Sequence, residues 1–232
     1  QEEFNVWRQG WCNAMIVAMD GPAGCGKSTI ARLLSERIGF LYINSGNIYR
    51  ALAYAAIKKG LRLEEEAALI EAASKASVGY DDDGSILLDG TRLASELRSA
   101  EVEAIVAQVS AIPEIRGIVN EVVRRLARGR NVVVEGRDMT TVVFPRADLK
   151  FYIDASAEER ARRRFAQASS SMTYDEIVNN IRMRDEIDRN KKIGALKIAP
   201  DALYLDTSGL TIEAVYEKVY SKILHLREAH GE

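Results

Sequence analysis

The sequence lacks features that mark several protein classes. It has only two cysteines, Cys12 and Cys25, which is too few for a disulfide framework. We therefore expect a cytoplasmic protein in a reducing environment. Its formal net charge is −2, whereas dedicated nucleic-acid binders are usually strongly basic, so we expect no nucleic-acid partner. No apolar run approaches the roughly 20 residues that cross a bilayer, so we expect no membrane partner.

The first residues do not have the order of a secretory signal peptide, which is basic and then apolar. Residues 1–14 contain both tryptophans, Trp7 and Trp11, outside the part that looks folded. We predict that residues 1–14 form a tail, unstructured or appended, ahead of a domain at 15–232. The alternative is an arm that docks on that domain.

A glycine-rich loop follows the first apolar segment. Residues 21–29 match the P-loop pattern G-x-x-x-x-G-K-[ST], between a strand-like run at 15–19 and a helical pattern from Ile30. Glycines let backbone N–H groups turn toward phosphate oxygens. Lys27 can reach the β and γ phosphates, and the Ser28 hydroxyl can bind Mg²⁺. The predicted nucleotide-binding residues are Gly21, Pro22, Ala23, Gly24, Cys25, Gly26, Lys27, Ser28 and Thr29.

Apolar segments alternate with helical patterns along most of the chain. Short apolar runs at 15–20, 40–43, 131–135, 149–154 and 202–206 predict strands, and amphipathic helices lie between them. The pattern predicts a three-layer α/β/α P-loop fold with a parallel central sheet. Its core is expected at 15–44 and 129–232. Ser156 and Glu159 have the spacing of a capping box for the helix that follows.

Two regions are set apart from this core. Residues 78–80 and 86–88 enclose a polar turn and predict an antiparallel hairpin, so we predict an inserted subdomain at 45–128. An arginine-rich helix that ends in serines predicts a short lid at about 160–180. On that helix Arg160, Arg163 and Arg164 share one side, and Arg162 points away.

A P-loop alone does not define a reaction. The N-K-x-D motif of switch GTPases and the signature loop of transporter ATPases are both absent. Arginines are instead abundant at predicted loop and helix starts, which suits a second, anionic substrate.

Four motifs together resemble the bacterial cytidylate (CMP) kinases, over about 15–225. They are the P-loop, the turn from Ser45 to Arg50, the segment 136–145 (GRDMTTVVFP) and the segment 184–188 (RDEID). The resemblance implies ATP-dependent phosphorylation of CMP and dCMP by direct in-line transfer, in pyrimidine metabolism. It also implies a monomer with small-molecule substrates and Mg²⁺ beside the ATP.

The resemblance assigns roles to individual residues. Asp138 and Arg116 would read the cytosine, Arg50, Arg137 and Arg184 would bind the α-phosphate of CMP, and Asp188 would hold the ribose. The full CMP-binding set is Ser45, Tyr49, Arg50, Arg98, Arg116, Arg137, Asp138, Arg184, Asp188 and Lys191. The catalytic set is Lys27, Arg137, Arg160, Arg164 and Arg184, with Arg163 on ATP. Glu135 could hold Mg²⁺ through water, or serve the structure alone.

The chain departs from the family pattern at a few positions. Lys191 replaces an arginine, which keeps the charge but loses the bidentate fork. Ala107 and Ala195 replace a serine and a proline, and Thr140 replaces a glycine. Two other functions stay open: a kinase for another acceptor such as UMP or AMP, and a nucleotide-binding switch without turnover.

Overall fold

The computed structural model describes residues 14–81, 84–167 and 172–229. Most of the predicted tail and residues 168–171, which include the three serines of the predicted lid, therefore lie outside the described residues. Contacts divide the chain into two compact units. The first unit comprises residues up to Tyr42 and from Gly129 onward, and the second comprises Ile43–Arg128.

The described residues form eight strands and eight α-helices. The strands are β1 (Ile16–Asp20), β2 (Leu41–Asn44), β3 (Val78–Tyr80), β4 (Ile86–Leu88), β5 (Thr91–Arg92), β6 (Val132–Glu135), β7 (Leu149–Asp154) and β8 (Leu203–Asp206). The helices are α1 (Lys27–Ile38), α2 (Ser45–Lys58), α3 (Glu66–Lys75), α4 (Ala100–Val109), α5 (Pro113–Ala127), α6 (Ala157–Gln167), α7 (Tyr174–Asn190) and α8 (Ile212–Ala229). A 3₁₀ turn (Ser95–Arg98) and a π-helical turn (Met139–Val143) complete the elements.

The first unit is built on a five-stranded sheet of order β2-β6-β1-β7-β8. The pairs β1–β6, β1–β7 and β7–β8 are parallel, which confirms the predicted α/β fold with a parallel central sheet. The central strand β1 is buried on both faces, because Val17 and Ala18, which point to opposite sides, are both fully inaccessible. Its carboxyl end thus has a fixed position in the core.

One face of the sheet packs against α1 and α8. Leu34 of α1 and Ile223 of α8 are fully buried there, together with Phe151 of β7. Apolar residues at helical spacing form these contacts, so the sequence pattern alone explains which side of each helix is buried. None of the helices in the described ranges is long and apolar enough to span a bilayer.

The second unit contains a small antiparallel sheet of order β3-β4-β5 and the helices α2 to α5. The pairing of Val78 with Leu88 and of Tyr80 with Ile86 confirms the predicted hairpin. The third strand, β5, was not predicted, because two exposed residues carry no periodic pattern. The Arg125 guanidinium of α5 donates to the Val78 carbonyl at 2.9 Å and ties that helix to the sheet.

The predicted capping box at the start of α6 is only half formed. The Glu159 N–H donates to Ser156 Oγ at 3.1 Å, as predicted. The Ser156 N–H, however, donates to Ser208 Oγ at 3.0 Å, and the Glu159 carboxylate pairs with Arg163 instead. A complete capping box lies at the start of α7, between Thr173 and Glu176.

The packing of α8 leads to a stability prediction. Ile223→Ala removes a fully buried side chain and leaves a cavity, so we expect a loss of about 2–5 kcal/mol in the free energy of unfolding. Ile212→Ala, on the same helix but 56% exposed, is the matched control and should change it by about 0.5 kcal/mol or less. Urea denaturation measures both. Equal effects for the two variants would contradict the packing described.

Candidate active site

The loop between β1 and α1 has the backbone that a phosphate site needs. Gly21 has φ +148°, and a Cβ there would lie 1.9 Å from the Ile153 carbonyl oxygen, so no side chain fits. Gly26 has φ +95° and precedes α1 without any side-chain cap. The first N–H groups of α1 are therefore left for another acceptor, and a helix start of this kind attracts anions.

The positively charged side chain of Lys27 lies inside the loop. Lys27 is 4% exposed, and its ammonium donates to the Pro22 carbonyl at 2.9 Å and to Cys25 Sγ at 3.7 Å. Ser28 and Thr29 are exposed on the first turn of α1. The loop thus combines N–H donors, one buried positive charge and a surface hydroxyl, which are the groups that bind a nucleoside triphosphate.

Arg160 of α6 is part of a buried ion pair that reaches the loop. Its guanidinium contacts both carboxylate oxygens of Asp185 on α7, at 2.9 and 2.5 Å. It also donates to the Ala23 carbonyl at 3.2 Å and to the Ala155 carbonyl at 2.9 Å. Arg160 and Asp185 are 3% and 4% exposed, so this pair fixes α6, α7 and the loop to one another.

The other arginines of α6 separate as predicted from helix geometry. Arg163 donates to the Cys25 carbonyl at 3.3 Å and to the Thr207 carbonyl at 2.8 Å. Arg164 lies against the loop, with its Nε 3.3 Å from where a Cβ of residue 24 would be. The Arg162 side chain is 71% exposed and pairs with Glu159. Three arginines thus contact the loop and one does not, while their part in catalysis stays a prediction.

A second cluster contains the residues predicted to hold CMP in the first unit. Asp188 accepts from Arg137 Nε at 2.9 Å and from Lys191 Nζ at 2.8 Å. Burial alone would raise the pKa of Asp188, but the charges of Arg137 and Lys191 outweigh it and hold the pKa at about 2. Asp188 in turn raises the pKa of Arg137 against the effect of burial. Asp188 therefore stays ionised at neutral pH, where it pairs with the Arg137 guanidinium.

Two further predicted residues flank this cluster. Arg184 is half-buried on α7, one turn before Asp188, whereas Lys191 caps the end of the helix rather than lying within it. Asp138 is 2% exposed and precedes the π-helical turn, where its carbonyl accepts from the Val142 N–H at 2.9 Å. Single π-helical turns are frequent at functional sites, which is consistent with the role predicted for Asp138.

The predicted metal ligand Glu135 ends β6 and is 3% exposed. It accepts a short hydrogen bond from the Tyr42 hydroxyl. Within the described residues no group of three or more His, Cys, Asp or Glu could hold a metal by itself. The available donors, the Ser28 hydroxyl and the Glu135 carboxylate, are oxygens, which suit Mg²⁺ that takes its other ligands from phosphate and water.

In the second unit, Arg50 and Arg98 share one partner. Arg50 Nε lies 2.9 Å and Arg98 Nη1 3.7 Å from the same carboxylate oxygen of Glu103. Arg50 also donates to the Gly46 carbonyl at 3.1 Å, next to buried Ser45 at the start of α2. The structure therefore groups Ser45, Arg50 and Arg98 as predicted candidates and adds Glu103, which sequence reasoning missed.

Arg116 and Tyr49 form a buried stack in the same unit. The Arg116 guanidinium carbon lies 5.6 Å from the centre of the Tyr49 ring, and the two residues are 4% and 7% exposed. Arg116 also donates to the Ser110 carbonyl at 3.1 Å. A rigid, buried guanidinium of this kind is suited to hydrogen bonds with a specific acceptor.

A family model described as cytidylate kinase matches residues 17–225. The chain belongs to the cytidylate kinase family. A cytidylate kinase of Caldanaerobacter subterraneus subsp. tengcongensis is 41% identical over 210 residues, which are 89% of this chain and 93% of that protein. One of Vibrio cholerae is 41% identical over 214 residues, which are 90% and 95% of the two chains. The solved structure of an uncharacterized protein from Eubacterium ventriosum covers 90% of this chain and 98% of its own, with a TM-score of 0.53 and 10% identity, so it supports the fold alone.

In this member of the cytidylate kinase family, three residues around the loop were not predicted from the sequence. Asp185 holds Arg160, Tyr42 holds Glu135, and Thr207 contacts the loop through its hydroxyl, 3.1 Å from the Cys25 carbonyl. Asp185 and Thr207 are almost completely buried. Sequence reasoning could not find them, because the identity of a polar residue does not reveal that it is buried.

The Asp188 cluster leads to a pH prediction. The pKa of about 2 in the folded protein lies below the ordinary value of 3.8, so the unfolded state binds more protons between these values, and the protein becomes less stable as the pH is lowered through this range. Relative to Asp188→Asn, the wild type should be more stable by about 2 kcal/mol at pH 7. This advantage should shrink below about pH 4 and vanish near pH 2.

Chemical denaturation of both chains between pH 7 and pH 3 measures this difference. Glu186→Gln, which changes an exposed carboxylate on the same helix, is the control and should stay close to wild type at every pH. A wild-type advantage over Asp188→Asn that does not depend on pH would contradict the proposed ionisation.

Proposed function

We propose that the chain transfers the γ-phosphoryl group of ATP to CMP or dCMP, and forms ADP with CDP or dCDP. The observation that carries this proposal is the family match across residues 17–225, because it spans both the nucleotide loop and the segment around Arg137 and Asp138. In the reaction an oxygen of the CMP phosphate forms a bond to the γ-phosphorus as the bond to the bridging oxygen of ADP breaks.

On the donor side, we assign the β and γ phosphates to the loop and to Lys27. The buried ammonium and the uncapped start of α1 support this assignment, because both place positive charge where phosphate oxygens would lie. Mg²⁺ would be held by the Ser28 hydroxyl, with Glu135 contributing through water. When bound, the ion offsets the negative charge of the phosphates.

On the acceptor side, we assign the CMP phosphate to Arg137 and Arg184 in the first unit. Asp188 fixes the orientation of Arg137 by an ion pair, so less side-chain entropy is lost on binding. Lys191 adds a third positive charge to this group. In the second unit the same resemblance assigns phosphate binding to Arg50, which Glu103 orients.

For the base, we propose that the Asp138 carboxylate accepts from the amino group of cytosine. Uracil has a carbonyl at that position, so a buried carboxylate would face another acceptor and reject it. Arg116, which is stacked on Tyr49 in the second unit, is assigned by the family resemblance to the acceptor atoms of cytosine. Ser45 and Arg98 are supporting residues.

For catalysis, we propose that Arg164 and Arg163 offset the charge that develops on the transferred group. Their contacts with the loop backbone support a position close to the phosphates. Arg160 is assigned mainly to orienting the loop, because its guanidinium is occupied by Asp185 and two carbonyls. Closure of the predicted lid, at about 160–180, would exclude water from the reacting phosphates and so prevent hydrolysis of ATP.

We further propose that the reaction belongs to pyrimidine nucleotide metabolism in the cytoplasm and that the chain acts as a monomer. The substrate class supports the first statement, and the family resemblance supports the second. Size-exclusion chromatography with light scattering tests the oligomeric state directly.

An assay of ADP release with MgATP and each of CMP, dCMP, UMP, AMP and GMP tests the reaction. We expect kcat/KM for CMP and dCMP to exceed that for UMP by at least about a hundredfold. Lys27→Ala, purified in the same way, controls for contaminating kinases and should turn over at least about a hundredfold more slowly. Rates with UMP or AMP at or above the CMP rate would contradict the acceptor, and no turnover with any acceptor would favour a nucleotide-binding switch.

Asp138→Ala tests how the base is read. Loss of a hydrogen bond to a buried carboxylate should lower kcat/KM for CMP about tenfold to a hundredfold and narrow the preference for CMP over UMP. The KM for ATP should stay close to wild type, because the loop is unchanged. Thermal unfolding of the variant controls for general damage, and an unchanged CMP/UMP ratio would mean that the base is read by other residues.

A further inference from the structure

Asp20 is a fully buried carboxylate that the proposed reaction does not use. It is the last residue of β1 and directly precedes Gly21, the first residue of the loop. Its Oδ1 accepts from the Met139 N–H at 2.9 Å. Its Oδ2 accepts from both the N–H and the hydroxyl of Thr140, at 2.7 and 2.6 Å. Asp20 thus satisfies the first N–H groups of the π-helical turn, which a helix start otherwise leaves without a partner.

The residue before Asp20 fixes the other end of the same segment. The Gly136 N–H donates to the Met19 carbonyl at 3.0 Å, which continues the pairing of β1 with β6. Arg137 and Asp138 therefore form a two-residue span between Gly136 and Met139. Both ends of that span are attached to consecutive residues of one central, buried strand.

The Thr140 hydroxyl contributes a donor that most side chains could not supply. Burial raises the pKa of Asp20, while the hydrogen bonds from Thr140 and Met139 act in the opposite direction. Thr140 is 1% exposed, so water does not replace the hydroxyl if it is removed. Loss of this donor would leave a desolvated carboxylate held by backbone groups alone, and the span would be less firmly placed.

We propose that Asp20 and the Thr140 hydroxyl are positioning residues for substrate selection, which hold Asp138 and Arg137 in place for the acceptor nucleotide. This inference rests on the proposed function, because it assumes that Asp138 reads the base. Neither residue touches substrate. Their effect reaches the acceptor through the span of residues 137–138, while the nucleotide loop begins at Gly21, on the other side of Asp20.

Two substitutions separate the hydroxyl from the shape of the side chain. Thr140→Val keeps the shape and removes the hydroxyl, and Thr140→Ser keeps the hydroxyl. Thr141→Val is a matched control on the next residue, because the buried Thr141 Oγ1 has no hydrogen-bond partner among the described residues. The measurements are KM for CMP, KM for ATP, the CMP/UMP ratio of kcat/KM, and the thermal midpoint.

For Thr140→Val we expect KM for CMP to rise about tenfold and the CMP/UMP ratio to fall about tenfold. KM for ATP should change by less than about twofold, because the donor loop keeps its contacts. Thr140→Ser and Thr141→Val should stay within about twofold of wild type in all three quantities. If Thr140→Val does not fold, Thr140→Ala is compared with Thr140→Ser, since these differ only in the hydroxyl, and the alanine chain should show the same selective loss.

A hydroxyl-free variant with wild-type KM for CMP and a wild-type base ratio would overturn the inference. Equal losses toward CMP and ATP that follow the thermal midpoint would also overturn it, because they indicate a structural role alone. Wild-type turnover separates this outcome from a failure of the proposed function. If the wild type phosphorylates CMP and the variants do not show the expected pattern, only the positioning role is wrong. If the wild type does not phosphorylate CMP, both the proposed function and the positioning role are wrong.

Discussion

A loop that turns its backbone N–H groups toward a phosphate must turn carbonyl oxygens elsewhere, and those oxygens need donors. Here the side chains of three helix residues supply them. Lys27 donates to the Pro22 carbonyl, Arg160 to that of Ala23, and Arg163 to that of Cys25. The arginines of α6 therefore form part of the structure that shapes the loop, in addition to any contact with nucleotide. These donors stabilise the loop, because its carbonyl oxygens are hydrogen-bonded while its N–H groups are left for a phosphate.

Much of this arrangement follows from local sequence. The glycines and Lys27 lie within nine residues, so a single motif predicts the loop, and apolar runs of strand length predict β1, β6 and β7. The hairpin of the second unit is equally local, since a polar turn joins its strands. The nucleotide loop and the hairpin could therefore be predicted because their residues are near in sequence, and the fold class could be predicted because each strand and helix has its own local pattern.

The remaining contacts could not be predicted, because their partners are far apart in the chain. Arg160 of α6 contacts Asp185 of α7, and Thr207, which follows the edge strand β8, contacts the Cys25 carbonyl. An arginine cluster predicts charge but not which guanidinium is buried, and that depends on where α7 packs. The half-formed capping box at Ser156 has the same cause, since Ser208 competes for its N–H. Tertiary packing outweighs local preference at each of these positions.

The attachment of two loops to one strand has a dynamic consequence. Gly21 follows Asp20 directly, and the span of Arg137 and Asp138 is fixed to Met19 and Asp20. Thermal displacement of β1 within the sheet would carry both loops in the same direction, so their separation changes less than the position of either. Alignment of the two loops is then a property of one rigid strand.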